Sequence, residues 1–180
     1  GDPLAGSVHY TGERLPLADV RLLAPVIPRS KVIGVGRNYA EHAAEQGAPV
    51  PETPLVFFKP NTSVIGPGEP IVYPAETSNL HYEGELAVVI GRICRRVPAE
   101  RAGEVVFGYT VANDVTCRDL QSSDGQWTRA KGYDSFCPLG PWIATHIDLA
   151  EAGRLDLLTS LNDEPVQGAN TADMVHGVAE

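Results

Sequence analysis

The chain has 180 residues, 43% of them hydrophobic, and sets 14 basic against 23 acidic residues for a net charge of −9. A balance this acidic argues against a general nucleic-acid or anionic-membrane binder, and the length suits one domain with a real core. Apolar runs reach only about five residues, far short of the roughly 20 that span a bilayer; the three cysteines lack CxxC spacing, which fits a reduced, cytoplasmic protein.

The chain begins Gly1-Asp2-Pro3, without Met, which points to an upstream stretch. Short strands are predicted over 20–26, 32–36, 55–58, 86–90, 105–112, 142–145 and 155–161, separated by turns such as Gly66-Pro67-Gly68. One helix is predicted over 39–46, with Asn38 as N-cap and Gly47 as its stop. Shorter helical turns are predicted near 99–101 and over 115–121. From Ser160 the chain reads as a hairpin turning at Asn162-Asp163-Glu164, then a helix starting at Thr171 with nothing after it to pack against. That ending predicts a fold that continues past residue 180. The whole is a β-rich α+β single domain.

The strand-like segment "LHYEGELAVVIG", residues 80–91, carries two glutamates in apolar surroundings. Side chains alternate along a strand, so Glu83 and Glu85 share a face, roughly 6–7 Å apart. Gly84 between them has no side chain and lets another backbone come close. Two like charges on one apolar face repel, so something positive belongs between them: a metal ion, a lysine, or else water at a strand end. The strand in "VVFGYTVANDVTCRD" ends at Asp114, and alongside the first it would bring a third carboxylate. Three carboxylates without His or Cys form a hard oxygen site suited to Mg²⁺ or Mn²⁺, with Ca²⁺ a further candidate. The plainer alternative is a solvated strand end with Asp114 capping a turn.

His42 and Glu45 stand three apart on the predicted helix, where a carboxylate can orient an imidazole as general base or form a simple surface pair. Segment 38–52 is expected to be mobile, being Ala-rich, then broken by Gly47, Pro49 and Pro51. Lys59 closes the "LVFF" run and serves either as a site residue or as a charge guarding a strand. Lys131 lies in an aromatic, Gly-Pro-rich stretch, and Arg118 and Gln121 would face one way from a helical turn as donors to a carboxylate.

Taken in order, "GRNYAEHAAE", "PLVFFKPNTSVIGPGEPI", "HYEGELAVVIG", "GYTVANDVTCRDLQ", "WTRAKGYDSFCPLGPW" and "GANTADM" resemble the fumarylacetoacetate hydrolase family. The likeness is to its acylpyruvase and oxaloacetate decarboxylase type, and to bacterial 2-hydroxyhepta-2,4-diene-1,7-dioate isomerases. The resemblance implies a mixed β-sheet roll of the family's C-terminal domain type, incomplete at both ends: residues 1–16 a remnant of a small N-terminal region, 17–180 a catalytic domain cut short. It implies Glu83, Glu85 and Asp114 as metal ligands for Mg²⁺ or Mn²⁺, and His42, Glu45 and Lys131 as catalytic residues. Lys59, Arg118 and Gln121 would bind substrate. It further implies a homodimer acting on small anionic 2-oxo or 2,4-dioxo acids through a metal-bound enolate, by C–C hydrolysis or oxaloacetate decarboxylation. The alternatives are isomerisation, or a catalytically silent metal-binding scaffold.

Overall fold

A computed structural model describes residues 4, 6, 9–45 and 47–180. Several residues of the expected 1–16 remnant, and Gln46 at the end of the predicted helix, therefore lie outside the described residues. The strands are β1 (Val32–Gly36), β2 (Leu55–Lys59), β3 (Val64–Ile65), β4 (Leu80–His81), β5 (Gly84–Ile90), β6 (Val106–Asn113), β7 (Thr116–Cys117), β8 (Cys137–Ala144), β9 (Asp156–Leu161) and β10 (Glu164–Asn170). The helices are α1 (Ala40–Glu45), α2 (Arg118–Asp124), α3 (Trp127–Lys131) and α4 (Leu149–Ala152). The β-rich α+β class expected from sequence is the class observed. No helix among the described residues is long and apolar enough to cross a membrane.

Four strands form the central sheet in the order β3-β8-β6-β5, with β3 parallel to β8 and the other pairs antiparallel. Three two-stranded pairs surround it: β1-β2, β4-β7 and β9-β10. One core, built on Val26, Val89 and Leu139, backs the central sheet. A second, built on Val115, Cys117, Ala130 and Phe136, sits beneath the helices α2 and α3. The two ends that matter for the site, the start of β5 and the end of β6, lie side by side because Gly84 pairs with Asn113.

Several predicted elements differ. The run 20–26 forms no strand; a 3-10 turn at Leu17–Asp19 precedes it and Val26 drops into the core. Pro25 and Pro28 cannot donate to a ladder, so the apolar pattern is used for packing alone. Strand β8 starts five residues before the predicted 142, its Pro138 and Pro141 having hidden it from a propensity reading. The hairpin forms with Asn162 and Asp163 as its two turn residues, both at positive φ, and Glu164 already in the return strand. Beyond it, Thr171–Asp173 is a single 3-10 turn rather than a helix, because Met174 leaves to pair with Tyr39.

In β1 the inward positions Gly34 and Gly36 leave room for rings. A Cβ on Gly34 would overlap Phe57, and one on Gly36 would stand 2.5 Å from the Trp127 ring. The outward positions carry the apolar cross-strand pairs Ile33–Phe58 and Val35–Val56. Gly84 has close neighbours, but they are side chains, those of Thr159 and Gln167, rather than the backbone expected from sequence. The Gln167 side chain accepts from its N–H at 2.9 Å and donates to its carbonyl at 2.8 Å, while Thr159 Oγ1 fills the space where a Cβ would go.

Gly84→Ala should therefore destabilise the protein by about 1–3 kcal/mol through overpacking. In thermal denaturation, Thr159→Ala in the same chain should recover part of the loss. Simple additivity of the two changes would show that the Thr159 contact is not its source.

Candidate active site

The β5-β6 register sets the centre of the site. The Asp114 N–H donates to the Glu83 carbonyl at 2.8 Å and the Glu83 N–H to Asn113 Oδ1 at 3.0 Å, which holds the two acidic residues across from each other. The chain then turns through β7 into α2, carrying Arg118 and Gln121 one turn apart, with an Arg118–Gln121 hydrogen bond of 2.9 Å. Helix α3 follows, and its i, i+4 residues Trp127 and Lys131 share a face.

Lys131 is only 2% exposed. Its ammonium donates to Glu83 Oε2 at 2.6 Å, Asp114 Oδ2 at 2.6 Å and Thr116 Oγ1 at 2.7 Å. It also lies 4.8 Å from the Phe57 ring centroid and 5.9 Å from that of Trp127. The other carboxylate oxygens are taken as well: Arg118 donates to Glu83 Oε1 at 2.5 Å and Lys59 to Asp114 Oδ1 at 2.5 Å. Lys59, for which sequence left open a surface role, is buried behind Asp114 and also reaches the Val115 carbonyl.

Glu85 is different. Among the described residues none donates a hydrogen bond to its carboxylate, and burial, then Glu83, then Asp114, push its carboxyl up to about 8. For Glu83, burial alone would raise the carboxyl, but Lys131 and Arg118 overcome it and hold it at about 2. Burial pushes the Asp114 carboxyl up, with Lys59 and Lys131 opposing and Glu83 adding to the rise. Tyr39, which sequence reasoning passed over, is pushed up to about 12 by burial and by the nearby Glu85 and Asp173. Among the described residues no three His, Cys, Asp or Glu side chains stand at the spacing of a preassembled metal site. Glu83 and Asp114 are instead bridged by the Lys131 ammonium.

A cavity of about 660 Å³ opens beside this cluster, lined by Arg37, His42, Glu45, His81, Arg118, Gln121, Ser122 and Trp127. His42 Nδ1 lies 3.4 Å from Glu45 Oε2, and its Nε2 lies 3.8 Å from Glu83 Oε1. The dyad thus faces the carboxylates. Segment 38–52 is also better anchored than its composition predicted. The Asn38 side chain exchanges two 2.9 Å hydrogen bonds with the His176 backbone, a task that replaces the predicted N-cap role. Ala43 is fully buried, and Tyr39 pairs with Met174.

Eight of the nine residues singled out from sequence meet here through hydrogen bonds or ion pairs, and Glu85 joins them through its electrostatic coupling to Glu83 and Asp114. Arg37, Tyr39, His81 and Trp127 were missed. Trp127 was discoverable as the residue one helical turn before Lys131, and Arg37 as the cation directly following a glycine-rich strand.

A family model described as fumarylacetoacetate (FAA) hydrolase C-terminal matches residues 31–180, and one described as Rv2993c-like, N-terminal, matches residues 1–25. Protein Rv2993c of Mycobacterium tuberculosis is 53% identical over 173 residues, covering 96% of this chain, and this chain spans 65% of that relative's length. The human mitochondrial oxaloacetate tautomerase FAHD2A is 42% identical, over 89% of this chain and 52% of its own. Among solved structures, a 2-hydroxyhepta-2,4-diene-1,7-dioate isomerase from Mycobacterium marinum superposes with a TM-score of 0.86 at 49% identity, over 99% of this chain and 65% of that one. A maleylpyruvate hydrolase from Sphingobium sp. SYK-6, in complex with manganese(II) and pyruvate, does so at 0.77 and 37%, over 93% of this chain and 58% of that one.

Lys131→Met leaves Glu83 and Asp114 facing each other without their shared cation. Since Lys131 and Arg118 together hold Glu83 at about 2 against an ordinary 4.5, the two pairings jointly contribute on the order of 3 kcal/mol at neutral pH, of which Lys131 supplies a share. The folded value is the lower one, so this stability is complete above the unfolded value and is lost as pH falls through the folded one. Urea denaturation should show a loss at pH 7 that shrinks below pH 4, where the variant's carboxylates take up protons. A loss independent of pH would mean that packing, not charge, is what Lys131 supplies.

Proposed function

Since the chain belongs to the fumarylacetoacetate (FAA) hydrolase C-terminal family, we propose that it is an enzyme that forms the enolate of a 2-oxo acid, breaking a C–C bond in 2-oxo or 2,4-dioxo acids. The outcome is hydrolysis of an acylpyruvate, decarboxylation of oxaloacetate, or both. The observation that carries this reading is the meeting of a buried Lys131–Glu83–Asp114 cluster with the His42–Glu45 pair at one cavity.

Glu83, Glu85 and Asp114 would hold a divalent cation, Mg²⁺ or Mn²⁺. Their all-oxygen donor set suits a hard ion, and Glu85 is a carboxylate with a charge excess beside it and no donor of its own. When bound, such an ion supplies Lewis-acid polarisation of the substrate's oxygens. The relative in complex with manganese(II) and pyruvate supports the assignment.

The protein's own groups divide the remaining work. Glu45 orients His42 through Nδ1, leaving Nε2 turned toward the cluster to take a proton from water. The resulting hydroxide adds to the distal carbonyl, the C–C bond breaks, and the pyruvate enolate regains the proton at carbon. Lys131 keeps a fixed positive charge at the end where the oxyanion develops. Arg118 and Gln121 line the cavity as donors for the substrate's carboxylate. Decarboxylation uses the same enolate and needs no water attack.

A second reading is favoured by the isomerase and tautomerase relatives: proton movement alone, with His42 or Lys131 as the shuttle and no bond cleavage. The test is a panel of acetylpyruvate and oxaloacetate, followed by pyruvate release and by enol absorbance, with Mg²⁺ or Mn²⁺ and with chelator. The expected result is metal-dependent pyruvate release. His42→Ala should slow hydrolysis by about 100-fold or more while metal affinity is kept, and Glu83→Ala should lose both. Enol–keto exchange without pyruvate release would establish the second reading instead, and no turnover of any kind would leave a silent scaffold.

A further inference from the structure

Helix α1 carries His42 and Glu45, yet it has only six residues and buries only Ala43. Isolated helices shorter than roughly 12 residues are marginal in water, so the place of the imidazole is decided by what holds the two flanks of the helix. On the near flank, the Asn38 side chain exchanges two hydrogen bonds of 2.9 Å with the main chain of His176. The Asn38 carbonyl also accepts from the Val175 N–H at 2.8 Å. On the far flank, residues 49–54 form neither helix nor strand, and Pro49 and Pro51 have no N–H to give. Among the described residues this stretch makes one hydrogen bond, between the Pro51 carbonyl and Nε2 of His176, at 3.4 Å.

His176 thus meets both flanks, one with its main chain and the other with its ring. The side chain is only 11% exposed, and its Nδ1 lies 3.1 Å from Glu180 Oε1, which turns Nε2 toward Pro51. A carbonyl only accepts, so Nε2 donates in that contact. Neither His176 nor Pro51 lines the cavity. Any effect of this residue on the chemistry therefore passes through α1.

We propose that His176 is a positioning residue for the general base. It clamps Asn38 and Pro51 so that α1 presents His42 to the acidic cluster, with Nε2 3.8 Å from Glu83 Oε1. The effect on hydrolysis rests on the reading of His42 as the base that activates water, whereas the clamp itself does not. A misplacement of about 1 Å can slow a step about 100-fold, so releasing one flank is enough to be read in kcat.

His176→Phe keeps the main-chain bonds to Asn38 and a ring of similar bulk, but removes the donor to Pro51; His176→Gln returns an amide donor. Hydrogen exchange is followed at the Ala43, Gly47 and Ala48 amides, which donate to the Tyr39, Ala44 and Ala43 carbonyls. Beside it, kcat and KM are measured for acetylpyruvate and oxaloacetate in Mg²⁺. In His176→Phe, exchange at these three amides should rise about 10-fold, while amides of β5 and β6 keep their wild-type rates and report an intact fold. Hydrolysis of acetylpyruvate should fall about 10- to 100-fold in kcat, with KM within about twofold. Decarboxylation of oxaloacetate, which needs no water attack, should stay within about twofold of wild type. His176→Gln should recover part of both losses. Unchanged exchange at the three amides would overturn the proposal, and so would unchanged hydrolysis. An equal fall in hydrolysis and decarboxylation would also overturn it, leaving His176 a stabilising residue only. Faster exchange at the three amides, in a protein whose wild type turns over neither acid, would uphold the clamp and reject the proposed function.

Discussion

A single ammonium group, that of Lys131, bridges two acidic residues from neighbouring strand ends, and much of the surrounding architecture serves to keep it dry and balanced. Phe57 and Trp127 cover it with their rings. Those rings fit because β1 offers glycine at two successive inward positions, Gly34 and Gly36. Thr116 supplies a neutral third acceptor. Arg118 and Lys59 then take the remaining oxygens of Glu83 and Asp114, so that neither carboxylate is left half-paired in a low-dielectric setting. Three parts of the fold, β2, the β5–β6 junction and the α2–α3 pair, are thereby fixed against one another by charge.

The same logic separates two glutamates that sequence makes look equivalent. Glu83 and Glu85 lie on one face, two residues apart, yet one is held at about 2 and the other pushed up to about 8. The difference is one of partners. Lys131 and Arg118 donate to Glu83, whereas Glu85 feels the negative charge of Glu83 and Asp114 with no hydrogen bond to its carboxylate among the described residues. An acidic pair split in this way gives one residue fixed as an anion and another poised to change its protonation with its surroundings.

Much of this arrangement is legible in the order of the residues. Period-two alternation places Glu83 and Glu85 together, and the strand ending at Asp114 brings the third carboxylate. Gly84 announces a close approach, though by side chains rather than by backbone. What stays hidden depends on tertiary pairing. Nothing local says that Lys59 is buried under Asp114, or that Arg118 turns toward Glu83, since both are settled by which strands lie side by side. Arg37 and Trp127 escape notice because their roles exist only once β1 and α3 meet. The prolines that erase a strand at 20–26 mislead in the opposite sense at β8, where proline is tolerated inside a paired strand. Asn38 departs from its expected cap because its side chain is consumed by a partner near the other end of the sequence.

That last contact sets an order of assembly. Asn38 and His176 are 138 positions apart, and closing a loop of that size carries a larger entropic penalty than the short-range pairing of β5 with β6. The carboxylates and Lys131 lie within a compact stretch of the chain, whereas the helix bearing His42 acquires its clamp only when residues 174–176 arrive. During synthesis the charged cluster can therefore form from chain already made, before residues 174–176 emerge to lock the imidazole above it. The two halves of the site are thus folded by contacts of different range.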